Sequence, residues 1–138
     1  MFFIASNAQE VKKESVFKGS LNNETIEMYI QTFEQECTAD IYYIAMLRFD
    51  DHKYQNITWR KFEVFANDNN GYILIDDPYF SGRYSNYIFI EQNGHQLKGF
   101  IKNEKLSSKP IILNRDTDIK DFSNYREKMT ELTNTDDC

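Results

Sequence analysis

Asp50, Asp51 and His52 stand in a row, and a carboxylate beside an imidazole is the raw material of a proton relay. Neighbouring side chains in a loop or strand diverge, so these three would need a partner from elsewhere in the chain. By themselves they read as a solvated loop. The other histidine, His95, follows Asn93-Gly94, a hairpin dipeptide whose tip is expected to be exposed. Two histidines cannot assemble a histidine-rich metal site. The run ANDNNGYILIDD puts Asp68, Asn70, Gly71 and Asp77 near the offsets of a calcium loop, but Ala66 stands where the first carboxylate is required. Asp76 and Asp77 pair two carboxylates, and Pro78 beside them points to a strand-ending turn instead. The sequence carries no nucleophile elbow, phosphate-cradling glycine loop or dinucleotide fingerprint. The expectation is a protein without catalytic residues, metal or cofactor.

Two further features bear on binding. Tyr79, Phe80, Arg83, Tyr84, Tyr87 and Phe89 crowd a short stretch, and Tyr and Arg are the residue types enriched at interface hot spots. Tyr79, Arg83, Tyr84 and Tyr87 are therefore the candidate binding residues, set against ordinary cross-strand packing of aromatic rings. Cys37 and Cys138 lie a hundred residues apart and form no C-x-x-C pair, which argues against structural zinc. They are either one bridge tying the tail to the body or two unpaired thiols, and spacing alone does not choose.

The elements that would position these residues are mostly strands. In TIEMYIQTF, Ile26, Met28 and Ile30 alternate with Glu27, Tyr29 and Gln31, the period of a half-buried strand. Residues 40–49, DIYYIAMLRF, are apolar on both faces and read as a central strand. ITWRKFEVFA follows, with Trp59 as the expected core anchor. NDNNG predicts a type I′ hairpin at Asn70-Gly71, and Asn93-Gly94 marks a second hairpin. PIIL, 110–113, is the last expected strand. From Asp118 onward Ile119, Phe122, Tyr125, Met129 and Leu132 recur at helical spacing, which predicts a short amphipathic helix. QEVKKES, ahead of the first expected strand at Val16, reads as a charged linker.

One phrase is written twice: FKGSLNNETI at 17–26 returns as LKGFIKNEKL at 97–106, and FSGRY at 80–84 shares its core. In a strand, Gly19 falls on one face with Phe17 and Leu21, and Gly99 with Leu97 and Ile101. A glycine between two large inward residues suits a strand that bends against a close neighbour, a device that curved sheets need repeatedly. Gly19, Gly82 and Gly99 are thus expected to be structural. The stretches FKGSLNNETIEMYI, IYYI, GHQLKGFI and KPIIL resemble a loose group of small exported bacterial β-rich proteins of unknown activity with FxGxI-type strands. That resemblance implies a β-fold and export and brings no catalytic residue. The chain departs from the group in lacking a glycine beside Tyr42-Tyr43 and in its C-terminal helix.

The composition agrees. With 138 residues, 41% hydrophobic and 28% charged, there is room for one cored domain, and a 15% aromatic content against five glycines and two prolines favours pleated sheet. The expected fold is all-β, an antiparallel barrel or sandwich of about eight strands with a short C-terminal α-helix. Its single domain would span 14–133, followed by a tail at 134–138. A net charge of −6 disfavours nucleic acid and would steer a cationic partner toward the protein. MFFIASNAQE ends its apolar run in small residues, the pattern of a cleaved export signal, so residues 1–8 read as a truncated signal remnant and the location as periplasmic or extracellular. No stretch is apolar for long enough to span a membrane as a helix. The functional expectation is non-catalytic binding of a protein partner, in the manner of an inhibitor or immunity-type factor. The alternative is a barrel-type carrier of a small hydrophobic ligand, which an internal cavity would favour. A hydrolase without a recognisable motif ranks third.

Overall fold

A computed structural model describes residues 9–21, 24–35, 41–49, 59–67, 69–76, 87–102 and 108–133. Eight strands run in chain order: β1 (Gln9–Leu21), β2 (Glu24–Gln35), β3 (Ile41–Phe49), β4 (Trp59–Ala66), β5 (Gly71–Asp76), β6 (Tyr87–Asn93), β7 (Gln96–Lys102) and β8 (Lys109–Arg115). Each pairs antiparallel with the next, and β8 pairs back onto β1 through Phe17↔Arg115 to Ser20↔Ile112, closing the sheet into a barrel. A helix, α1 (Ser123–Thr133), follows β8. The fold is therefore the expected all-β barrel with a short C-terminal helix.

Alternation decides what fills the barrel. Phe17, Ile26, Met28, Ala45, Leu47, Phe62, Val64, Leu74, Ile88, Ile90, Leu97, Ile111 and Leu113 form one buried cluster contributed by all eight strands. The predicted alternation of β2 holds, with Ile26 and Met28 fully buried on this inner side. Its other face is not solvent-exposed as a half-buried strand would be: Glu27, Tyr29 and Gln31 are also buried. They lie beneath the C-terminal segment. Val16, Tyr29, Ile44, Met46 and Met129 make a second core outside the barrel, packed with Trp59, Ile119, Phe122, Tyr125 and Leu132. This outer core explains why β3 is apolar on both faces: Ala45 and Leu47 point inward, while Ile44 and Met46 lie under the helix. Trp59 is half-buried in the outer core, edge-on to Tyr125 at 6.0 Å between ring centroids and beneath the Arg48 guanidinium, and so does not anchor the barrel interior. The helical stripe is as expected, but the helix begins only at Ser123. Asp121 accepts the Ser123 backbone N–H at 2.9 Å, a local turn that starts the helix after Ile119 and Phe122.

Two expectations about local structure are corrected. Residues 9–15 are strand, not linker: β1 pairs with β2 from Gln9↔Gln35, with a bulge between Val11 and Lys13 beyond which Lys13 and Ser15 alternate in step with the inward Phe17. The Asn70-Gly71 hairpin is not type I′, which needs left-handed backbone at both central residues. Asn70 has φ of 60°, whereas Gly71 already belongs to β5. The Asn67 side chain shapes this turn by accepting the N–H groups of Asn69 and Gly71 at 2.8 and 3.0 Å. At the other hairpin the loop is Gly94-His95, with Gly94 at φ of 65° in the first central position, and His95 is exposed as expected.

The repeated phrase has a structural cause. Gly99 faces Ile90 of β6, and a Cβ on Gly99 would collide with the Phe89 carbonyl oxygen and come within 2.9 Å of the Ile90 Cα. A Cβ on Gly19 would likewise strike the Ile112 carbonyl oxygen of β8 and lie 2.9 Å from Leu113 Cδ2. Both glycines let a neighbouring backbone approach where the sheet curves. Gly82 lies outside the described residues.

Candidate functional site

The barrel is filled along only part of its length. At the end formed by the start of β1, the end of β2, the starts of β3, β5 and β7, and the ends of β6 and β8, a cavity of about 460 Å³ opens to solvent. Phe17, Ile30, Ile90 and Leu97 supply its apolar surface, continuous with the inner core. Around them stand Lys13, Ser15, Thr32, Tyr43, Tyr72, Gln92 and Arg115. Alternation from the inward Phe17 through Ser15 turns Lys13 inward, and the pairing of Arg115 with Phe17 puts that arginine beside the apolar surface. The cavity thus joins a small apolar floor to a predominantly polar rim, more polar than the usual small-molecule site.

The polar groups on β5 and β6 are largely satisfied by one another. Tyr72 Oη donates to Gln92 Oε1 at 3.2 Å, and Gln92 Nε2 donates to the Gly94 carbonyl at 3.2 Å. Burial, with the Tyr43 phenol nearby, raises the pKa of Tyr72 above the ordinary tyrosine value, so it stays a neutral donor. The rings of Tyr43 and Tyr72 lie 6.1 Å apart, tilted against each other.

Glu14 and Gln31 also border the cavity, and both belong to the network that straps the helix to the barrel. Arg126 of α1 grips Glu14 through Nε and Nη2 at 2.6–3.1 Å, and Tyr29 Oη donates to Glu14 Oε1 at 2.8 Å. The Gln31 side-chain amide lies 2.8 Å from the same phenol. Hydrogen bonding to Arg126 holds the Glu14 carboxyl below its usual pKa, while burial and the Glu14 carboxylate push the Tyr29 phenol up. A second buried carboxylate, Glu27, pairs with Arg48 and accepts Tyr125 Oη at 2.5 Å. These groups are consumed in holding the helix down.

The candidate binding residues from the sequence fall partly outside the described residues: Tyr79, Arg83 and Tyr84 do, as do His52 with its two aspartates, Asp68, Asp77, Cys37 and Cys138. Tyr87 is described. It is the first residue of β6, on the outer face and 37% exposed. It borders a row that crosses five strands in register, Phe65↔Ile73↔Phe89↔Phe100↔Pro110, in which Phe65, Ile73 and Phe100 are also exposed. Phe89 and Phe100 stack at 5.1 Å. Among the described residues no group of three or more His, Cys, Asp or Glu is placed to hold a metal.

Sequence reasoning missed Lys13, Tyr43, Tyr72, Gln92 and Arg115 as one set. The available signal was parity: Tyr72 with Leu74, Gln92 with Ile90, and Arg115 with Leu113 each share the inward side of a strand. What the fold and cavity define is an eight-stranded antiparallel barrel with a cavity at one end among the described residues. No protein family, curated protein or solved structure matches the chain.

Proposed function

We propose that this barrel is a non-catalytic carrier that holds a small, partly apolar molecule in its open end. The observation that carries this reading is the cavity of about 460 Å³, which falls within the roughly 300–1,000 Å³ range of small-molecule sites and has Phe17, Ile30, Ile90 and Leu97 as a small apolar floor beneath a polar rim. The rim residues suit binding and orientation. The apolar N-terminus ending in small residues supports export, so the carrier would work in the periplasm or outside the cell.

The test is fluorescence titration with the uncharged probe N-phenyl-naphthylamine. One probe should bind per barrel, and Ser15→Trp, which places a bulky ring in the cavity, should weaken binding at least about tenfold while the fold survives. Binding that ignores Ser15→Trp, or no binding at all, would refute the carrier reading.

A second reading, recognition of a protein partner, is favoured by the exposed apolar row on β4–β8. A second copy of the chain is the first partner to test. Sedimentation should then show an associating wild type and a monomeric Phe100→Glu variant, and a monomeric wild type would remove self-association from this reading.

A further inference from the structure

The charges around the open end narrow the kind of ligand it suits. Within a chain of net charge −6, the charged side chains lining the cavity among the described residues are Lys13, Glu14 and Arg115. The Glu14 carboxylate is already committed to Arg126 and Tyr29. Among the described residues, Lys13 and Arg115 have no side-chain partner, and the hydrogen bond of Arg115 to His95 uses its backbone N–H. Across the cavity the Tyr72 donor is spent on Gln92, and Gln92 on Gly94. Among the described residues, the uncommitted charge lining the cavity is therefore positive. It sits on β1 and β8, the two strands that close the barrel: Arg115 pairs with Phe17, and Lys13 lies four residues before Phe17 on the same face of β1.

From this placement we infer that the ligand is a single-chain amphiphile with an anionic head, a carboxylate or a phosphate, held by Lys13 and Arg115, and an apolar body seated on Phe17, Ile30, Ile90 and Leu97. The inference rests on the carrier reading and adds the chemistry of the ligand. A guanidinium offers a planar fork of donors that matches carboxylate or phosphate oxygens, and an ammonium adds a mobile point charge. A cationic head would instead face two like charges. Because the protein as a whole is acidic, long-range steering does not favour an anion, so the apolar body must supply much of the affinity and the local pair the selectivity.

Calorimetric titration of the whole chain with decanoate, decyl phosphate, decanol and decyltrimethylammonium, each below its micellar concentration, separates these contributions. At least one anion should bind about tenfold more tightly than decanol, and the ammonium more weakly than decanol. The Lys13→Gln/Arg115→Gln double variant should bring the anion down to the alcohol, with its circular dichroism spectrum unchanged because both side chains are exposed. The tighter of the two anions identifies the head group. Decanol binding as tightly as both anions, or a preference that survives in the double variant, would overturn the anionic head and leave the carrier reading intact. No binding by any of the four would overturn both.

Discussion

Gly99→Val should be among the most damaging single substitutions in the sheet. The new Cβ would overlap the Phe89 carbonyl oxygen and approach the Phe89 carbonyl carbon to 2.7 Å and the Ile90 Cα to 2.9 Å. All three are backbone atoms of the paired strand, so no side chain can swing aside. Strands β6 and β7 must move apart, disturbing the pairs from Glu91↔Lys98 to Phe89↔Phe100. Overpacking of this kind costs roughly 1–3 kcal/mol, and the absence of a flexible neighbour argues for the upper end. Loss of glycine's freedom in the unfolded chain gives back about 0.4–1 kcal/mol, leaving a net loss of roughly 2 kcal/mol. For a chain of this size that lowers the melting temperature by about 5–10 °C. Urea denaturation followed by circular dichroism measures the loss. Lys98→Val, at an exposed neighbouring position, serves as the control and should move the midpoint little. A Gly99→Val midpoint equal to that of wild type would refute the account of the repeated phrase, and Gly19→Val should behave as Gly99→Val does.

The strap between helix and barrel is pH-sensitive. Because Arg126 lowers the pKa of Glu14 in the folded state, the pair stabilises the protein fully above the unfolded carboxyl pKa of about 4.3 and loses that contribution as pH falls through the lower folded value. Urea midpoints should therefore drop between about pH 5 and pH 3, and less steeply in Arg126→Gln; equal slopes would contradict the assignment. Met129→Ala should cost roughly 2–4 kcal/mol by opening a cavity in the outer core, measured by denaturation, although the residue lies outside the barrel. If the proposed export holds, the mature protein expressed from its own genomic context should begin near Gln9, and N-terminal sequencing that recovers Met1 from the cytoplasm would refute export.

Period two made the strands legible, and the buried Ile26 and Met28 follow from it. It did not distinguish barrel from sandwich, because inward alternation is the same in both; only the β1–β8 pairing closes the sheet. Polar residues misled where an unforeseen layer covered them. Glu27, Tyr29 and Gln31 resemble a solvent face until the helix, read correctly from its apolar stripe, is laid across them. Lysines misled in the opposite direction, since QEVKKES looked too charged for a strand and instead forms the start of β1, where Lys13 faces the cavity. The site itself was hidden by distance along the chain. Lys13 and Arg115 line one cavity only because the first and last strands pair, a fact no local pattern carries.

The central claim is that a ligand enters the open end of the barrel. Amide chemical shifts recorded during titration with decanoate test it residue by residue. The account predicts saturable shifts at Lys13, Ser15, Thr32, Tyr43, Tyr72, Gln92 and Arg115, with the outer row at Phe65, Ile73 and Phe100 unmoved. Shifts confined to the outer row, with the cavity residues silent, would contradict it.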